Sequence, residues 1–155
     1  MEHLNHSSSE EISQLVSFNL GEEEYAIDIT KVQEIIKMIE HTQVPNTFNY
    51  VEGVINLRGK VIPIVNLRMR LGIEPKEFDK NTRIIVVQVD SKSVGFIVDC
   101  VNEVLRLKVE SIEQAPKLVS SIEDEYITGI GKNDDKLLII LDLSKISTHV
   151  NKEKL

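Results

Sequence analysis

At 155 residues, with a formal net charge of −7 and a sequence pI near 5.1, the chain has room for one ordinary domain or for two very small ones sharing an interface. Its Lys and Arg residues are scattered, so no basic stripe is available to neutralise phosphates, and nucleic acid is not expected as a partner. Aliphatic runs such as Leu137 to Leu141 and Ile84 to Val87 fall far short of a membrane span of roughly 20 residues, and the first residues lack the pattern of a secretory signal, so a soluble cytosolic protein without membrane insertion is expected.

Residues 1–13 are polar and rich in Ser and Glu, which predicts a loose tail ahead of a domain spanning 14–143. From Leu15, the residues Val16, Phe18 and Leu20 alternate with polar neighbours; after a turn at Gly21 to Glu24, Tyr25, Ile27 and Ile29 alternate in the same way. That period of two reads as a β-hairpin. Thr30 and Gln33 stand at capping-box spacing before Val32, Ile35 and Ile36, and the stretch EIIKM reads equally as helix or as the next strand. Beyond Pro45, TFNYVEG suggests a helical turn or two. GVIN and KVIPIVNL, joined by a tight Leu-Arg-Gly turn, then suggest a second hairpin. Pro63 lacks a ladder donor, which predicts an edge strand or a bulge there.

The same order then recurs. RIIVVQVDSKSVGFIVDCVNEVL lies over LVSFNLGEEEYAIDITKVQEII with Val16 against Ile85, Ile27 against Phe96, Val32 against Val101 and Glu34 against Glu103. GIGKNDDKLLIILDL lies over GVINLRGKVIPIVNL with Gly53 against Gly129, Lys60 against Lys136 and Leu67 against Leu143. We read an internal duplication, with halves at 15–72 and 83–143 and a small β-barrel from each unit of roughly 60 residues. Units that small gain from packing on each other, and a groove along their seam suits a partner's helix. The last segment, 144–155, is polar with sparse apolar positions and predicts a short fraying helix.

Chemistry is hard to find along the chain. The glycines form no phosphate cradle, the histidines are dispersed or sit in the tails, and Cys100 reads as a buried structural thiol without a histidine partner. No catalytic residue, metal site or cofactor is expected. The more informative stretch is GVINLRG, Gly53 to Gly59. Turn chemistry explains Gly59 and is sufficient for Asn56. The equivalent stretch of the second half, GIGKNDD, has the same length and no Asn-Leu-Arg, so Arg58 is a candidate for function and not for folding.

The order F-x-L-G-E-E-E-Y-A-I-D-I-x-K-V-Q-E-I, V-P-N, G-V-I-N-L-R-G-K-V-I-P-I-V-N-L-R, V-G-F-I-V-D-x-V and Y-I-T-G-I-G resembles the CheW family of chemotaxis coupling proteins from Leu15 to Leu143. The resemblance implies an all-β fold of two intertwined five-stranded SH3-like barrels with short helices. It also implies a non-catalytic adaptor, recruited from the cytoplasm to membrane-bound receptor arrays, that couples the cytoplasmic tip of chemoreceptors to the regulatory domain of the histidine kinase CheA. Matched motif to motif, a receptor-binding groove falls on Ile29, Val32, Glu34, Ile35, Gly95, Val101 and Val104, and a coupling motif on Asn56, Arg58 and Gly59. One departure is Asn66, where the family commonly has Asp. The rival readings are the CheW-like part of a CheV protein or of CheA, and a small hydrolase or ligand sensor, which would need convergent polar groups in the cleft.

Overall fold

The alternation of the first segment becomes strands β1 (Ile12–Leu20) and β2 (Glu23–Asp28), paired with Val16 opposite Ile27 and Phe18 opposite Tyr25, in a computed structural model that describes residues 11–114 and 126–146. β1 starts earlier than the expected tail boundary, because Ile12 and Ser13 pair with Lys108 and Leu107 far along the chain; residues 1–10 and 147–155 of the two predicted end segments lie outside the described residues. Thr30 and Gln33 form no capping box. Asp28 instead accepts hydrogen bonds from Thr30 N (2.9 Å) and Thr30 Oγ1 (2.8 Å) around a 3-10 turn, Ile29–Lys31. The ambiguous EIIKM segment then continues as strand β3 (Val32–Lys37), in keeping with its β-branched Val32, Ile35 and Ile36.

TFNYVEG is not helical: Val51 N donates to Phe48 O at 3.0 Å and the chain passes directly into β4 (Val51–Leu57), which forms the predicted hairpin with β5 (Lys60–Asn66). The expectation for Pro63 needs correction, because β5 is an interior strand flanked by β4 and by β7 (Lys92–Val98). Val54, opposite Pro63, spends its backbone N–H and C=O on Thr42, so Pro63 turns its nitrogen away from β4, and the parallel ladder to β7 begins only at Ile64. The missing donor therefore falls where no ladder bond is due. A helical turn, α1 (Leu67–Arg70), follows, capped by Asn66, whose Oδ1 accepts from Met69 N at 3.3 Å. Its counterpart over 143–146 is capped by Asp142, which accepts from Ser144 N at 3.0 Å.

The second half repeats the series as β6 (Arg83–Val89), β7, β8 (Cys100–Lys108), β9 (Ile127–Asn133) and β10 (Lys136–Leu141). Strands do not stay with their own half. One five-stranded sheet runs β8-β1-β2-β10-β9 and the other β3-β6-β7-β5-β4, so each takes its first two strands from one half and the remaining three from the other. Each sheet curls on itself through one bridge, Thr42 to Val54 in the second and Glu113 to Ile130 in the first. We refer to the sheet containing β1 as barrel 1 and that containing β6 as barrel 2. The matched glycines stand at these closures. A Cβ on Gly53 would lie 2.3 Å from Thr42 O; one on Gly129 would lie 2.6 Å from Ile112 Cγ2 and 3.1 Å from Glu113 O.

The apolar core divides in the same way. Ile55, Ile62, Ile64, Ile84, Val86 and Ile97 fill barrel 2, and Leu15, Ala26, Leu138 and Ile140 fill barrel 1. The largest cluster lies between the barrels and draws on both: Val16, Phe18, Tyr25 and Ile27 from one side, Ile85, Val87, Phe96 and Val98 from the other. Polar ties cross the same boundary. Asp99, between β7 and β8, accepts from Arg68 of α1 through Nε (2.8 Å) and Nη2 (2.7 Å) and from Gly21 N of the β1–β2 turn at 2.7 Å. Arg70 stacks its guanidinium 5.0 Å from the ring centroids of both Tyr50 and Tyr126, duplicate positions that precede β4 and β9. Burial works against ionisation of Asp99, but the Arg68 and Gly21 hydrogen bonds outweigh it and hold the carboxyl below the usual carboxylate value.

Gly53→Ala should lower the unfolding free energy in urea by about 2–4 kcal/mol, because the closing strand must move. Gly72, with φ of 79° against 150° for Gly53, has open space around it, so Gly72→Ala should cost only about 1 kcal/mol. Asp99→Asn should cost about 2 kcal/mol at neutral pH by removing the counter-charge of the half-buried Arg68 guanidinium. Because the folded pKa of Asp99 lies below its unfolded value, its contribution is complete above about pH 4 and is lost as the pH falls through the folded value. Urea titrations of both chains between pH 7 and pH 2 should therefore converge at the acid end; a constant gap would contradict this.

Candidate partner-binding seam

β3 and β8 are duplicates, and each enters its sheet with a bulge. The register slips between Val32 and Glu34 against β6, and between Glu103 and Val101 against β1, so Gln33 and Asn102 are the extra residues at equivalent positions. A bulge bends its strand and re-aims the flanking side chains. Here Val32, opposite Val87, and Val101, opposite Phe18, both pack half-buried on the inter-barrel core, and Ile29 joins them from the 3-10 turn. Polar partners fix the bulges: Ser93 Oγ donates to Gln33 Oε1 at 2.8 Å, and Asn102 Nδ2 donates to Asn19 Oδ1 at 2.6 Å.

Farther along the same two strands, Ile35 and Val104 are duplicates and are 38% and 50% exposed, high values for aliphatic side chains with nothing over them. The chain thus places Ile29, Val32 and Val101 on the seam and Ile35 and Val104 on the outward flanks of β3 and β8. Gly95 does not join them. Val94, Phe96 and Val98 of β7 face the inter-barrel core, whereas Gly95 faces the interior of barrel 2, where a Cβ would lie 2.7 Å from Ile84 Cγ2 and 3.0 Å from Ile64 Cγ2. A partner in the cleft cannot reach it, and its smallness serves barrel packing.

Glu34 and Arg58, separate in the sequence reading, form an ion pair through Glu34 Oε2 and Arg58 Nη2. β3 and β4 are the two edges of barrel 2, and the pair spans their closure. The Arg58 side chain remains 70% exposed against 22% for Glu34. Its backbone has φ of 51°, a left-handed conformation that Gly, Asn or Asp accepts more readily than Arg. The three comparable hairpin positions are Gly21, Asp90 and Asp134. Asn56 and Gly59 have the plainer role of closing the turn, with Gly59 N donating to Asn56 Oδ1 at 3.1 Å and Gly59 at φ 85°. In the second half Glu103 and Asp134 occupy the positions of Glu34 and Arg58, so the ion pair has no counterpart there.

Sequence reasoning missed the Arg68–Asp99–Gly21 tie and the Tyr50–Arg70–Tyr126 stack that hold the barrels in register beside this seam. The tyrosines were within reach, because extending the second matched block by three residues sets Tyr50 against Tyr126. Cys100 is half-buried at the start of β8, with Sγ 3.6 Å from Asn102 Oδ1, and not fully buried as expected. Among the described residues no group of His, Cys, Asp and Glu is arranged to hold a metal ion, and no helix is long and apolar enough to cross a membrane.

Comparison with known proteins agrees with this architecture. The family model of the CheW-like domain matches residues 14–151. The chemotaxis protein CheW of Helicobacter pylori is 41% identical, with 89% of this chain and 83% of that protein covered. CheW of Klebsiella aerogenes is also 41% identical, with 83% and 78% covered. The crystal structure of the scaffolding protein TtCheW from Thermoanaerobacter tengcongensis superposes with a TM-score of 0.80 at 41% identity, over 86% of each chain. With matches of this extent and two barrels of exchanged strands, the chain belongs to the CheW family of chemotaxis scaffolding proteins.

Proposed function

We propose that this adaptor holds the cytoplasmic tip of chemoreceptors in the seam between its barrels, docks the regulatory domain of CheA on another surface, and works by fixing their relative geometry at the membrane-bound array. The observation that carries the receptor reading is the half-buried apolar triplet Ile29, Val32 and Val101, flanked by exposed Ile35 and Val104. A helix burying an apolar face there removes area from water at about 25 cal/mol per Å². The lining offers aliphatic contact and one carboxylate already paired with Arg58, a surface suited to binding. Arg58 projects from the edge of the same region and is assigned to coupling, with its guanidinium free to take a second carboxylate or carbonyl.

Three outcomes check this reading. Val101→Asp and Val104→Asp should each weaken binding of a receptor cytoplasmic fragment by about tenfold or more, through an unpaired charge under an apolar helix face. Val104 is already half exposed, so its variant should keep the wild-type circular dichroism and urea midpoint. Unchanged affinity in that variant would remove the seam from consideration. Arg58→Ala loses only an exposed ion pair, so its unfolding free energy should change by less than about 1 kcal/mol. Its receptor-dependent stimulation of CheA in a reconstituted assay should nevertheless fall, with assembly about five- to a hundred-fold weaker. Calorimetry with ATP should show no saturable binding to the isolated chain.

A further inference from the structure

The two most exposed large apolar side chains among the described residues are duplicates, Val61 at 70% and Leu137 at 60%. Each is the second residue of its strand, β5 or β10, and the next residue, Ile62 or Leu138, turns into the barrel and leaves it on the outer face. Single exposed aliphatics are common on protein surfaces, and what distinguishes these two is the charge around them. β10 runs parallel to β2, and β5 to β7, so the β1–β2 and β9–β10 turns of barrel 1 lie side by side, as do the β6–β7 and β4–β5 turns of barrel 2. Each pair of turns opens a shallow cleft, of about 490 Å³ in barrel 1 and about 320 Å³ in barrel 2.

The duplication sets the same two turns beside each aliphatic and reverses their charge. In barrel 2 they carry Arg58, Lys60 and Lys92 against one carboxylate, Asp90; in barrel 1 they carry Glu22, Glu23, Glu24, Asp134 and Asp135 against one cation, Lys136. Glu24 is held in place there, its carboxylate accepting from the buried Ser17 hydroxyl and from Asn133 Nδ2 at 3.2 Å. We infer that these faces bind each other between molecules, the acidic face of barrel 1 in one copy seating on the basic face of barrel 2 in the next, with Leu137 packed against Val61. The occupant of each face is a second copy of this chain because the complement of each, in charge and in apolar anchor, stands on the same molecule. Like faces repel, which excludes the other pairings. The contact is heterologous: every copy keeps one face free, so association continues head to tail and does not stop at a dimer. None of Ile29, Val32, Ile35, Val101 and Val104 lines either cleft, so the inference stands apart from the receptor reading.

Sedimentation velocity of the full-length protein tests this. The sedimentation coefficient should rise with concentration in the range up to about 1 mM. Leu137→Asp, at a position exposed enough to leave the circular dichroism unchanged, should weaken the association at least about tenfold. Lys60→Glu with Lys92→Glu makes both faces acidic, and Glu22→Lys, Glu23→Lys and Asp135→Lys together make both basic. Each of these variants should sediment as a monomer alone, and an equimolar mixture of the two should associate. A wild-type monomer throughout that range, association unchanged in Leu137→Asp, or a mixture no more associated than its components would overturn the inference. So would loss of CheA regulatory-domain binding in Leu137→Asp beside a monomeric wild type, since the face would then belong to the kinase.

Discussion

Everything in this molecule depends on strand exchange. Because each barrel is completed by strands from the other half, neither can close while the other is open, and the bridges Thr42–Val54 and Glu113–Ile130 close sheets whose members come from distant parts of the chain. The largest apolar cluster is consequently the one the barrels share, with Phe18, Tyr25, Phe96 and Val98 among its members. Units of this size bury too little surface to be secure alone. Exchange converts two marginal folds into one cooperative unit, and the Arg68–Asp99–Gly21 tie and the Tyr50–Arg70–Tyr126 stack fix the register between them.

A surface made at such a boundary inherits its rigidity. The bulges at Gln33 and Asn102 turn β3 and β8 so that Val32 and Val101 rest on the shared core, leaving one face of each for a partner. An adaptor has no chemical step to accelerate, so its contribution is the geometry in which it holds others and the affinity with which it does so. Duplication with divergence also leaves the halves different. The same hairpin carries Arg58 in one half and Asp134 in the other.

Much of this was legible in the sequence, for identifiable reasons. Period-two alternation gave the β1–β2 and β4–β5 hairpins, and ungapped repetition gave the equivalence of the halves, down to the glycines whose Cβ would strike the closing strand. β3 stayed ambiguous because Val32, Ile35 and Ile36 satisfy either period, and only pairing with β6 settles it. Pro63 misled because a single missing donor looks alike at an edge and at an interior position that owes no ladder bond. The Glu34–Arg58 pair was hidden by barrel closure, which brings together residues that no local rule relates. Gly95 was placed in the groove by resemblance, yet the alternation of Val94, Phe96 and Val98 already set it on the opposite face of β7. Residues 115–125, where strand limits were also uncertain, lie outside the described residues.

The central claim is that the seam between exchanged barrels is where the receptor tip is held. The most direct measurement is a methyl-labelled NMR titration of this protein with a receptor cytoplasmic hairpin fragment. The account predicts that the methyls of Ile29, Val32, Ile35, Val101 and Val104 shift together along one saturable isotherm, while those of Leu137 and Ile140 remain in place. Shifts confined to Leu137 and Ile140, with the seam methyls unmoved at saturation, would contradict it.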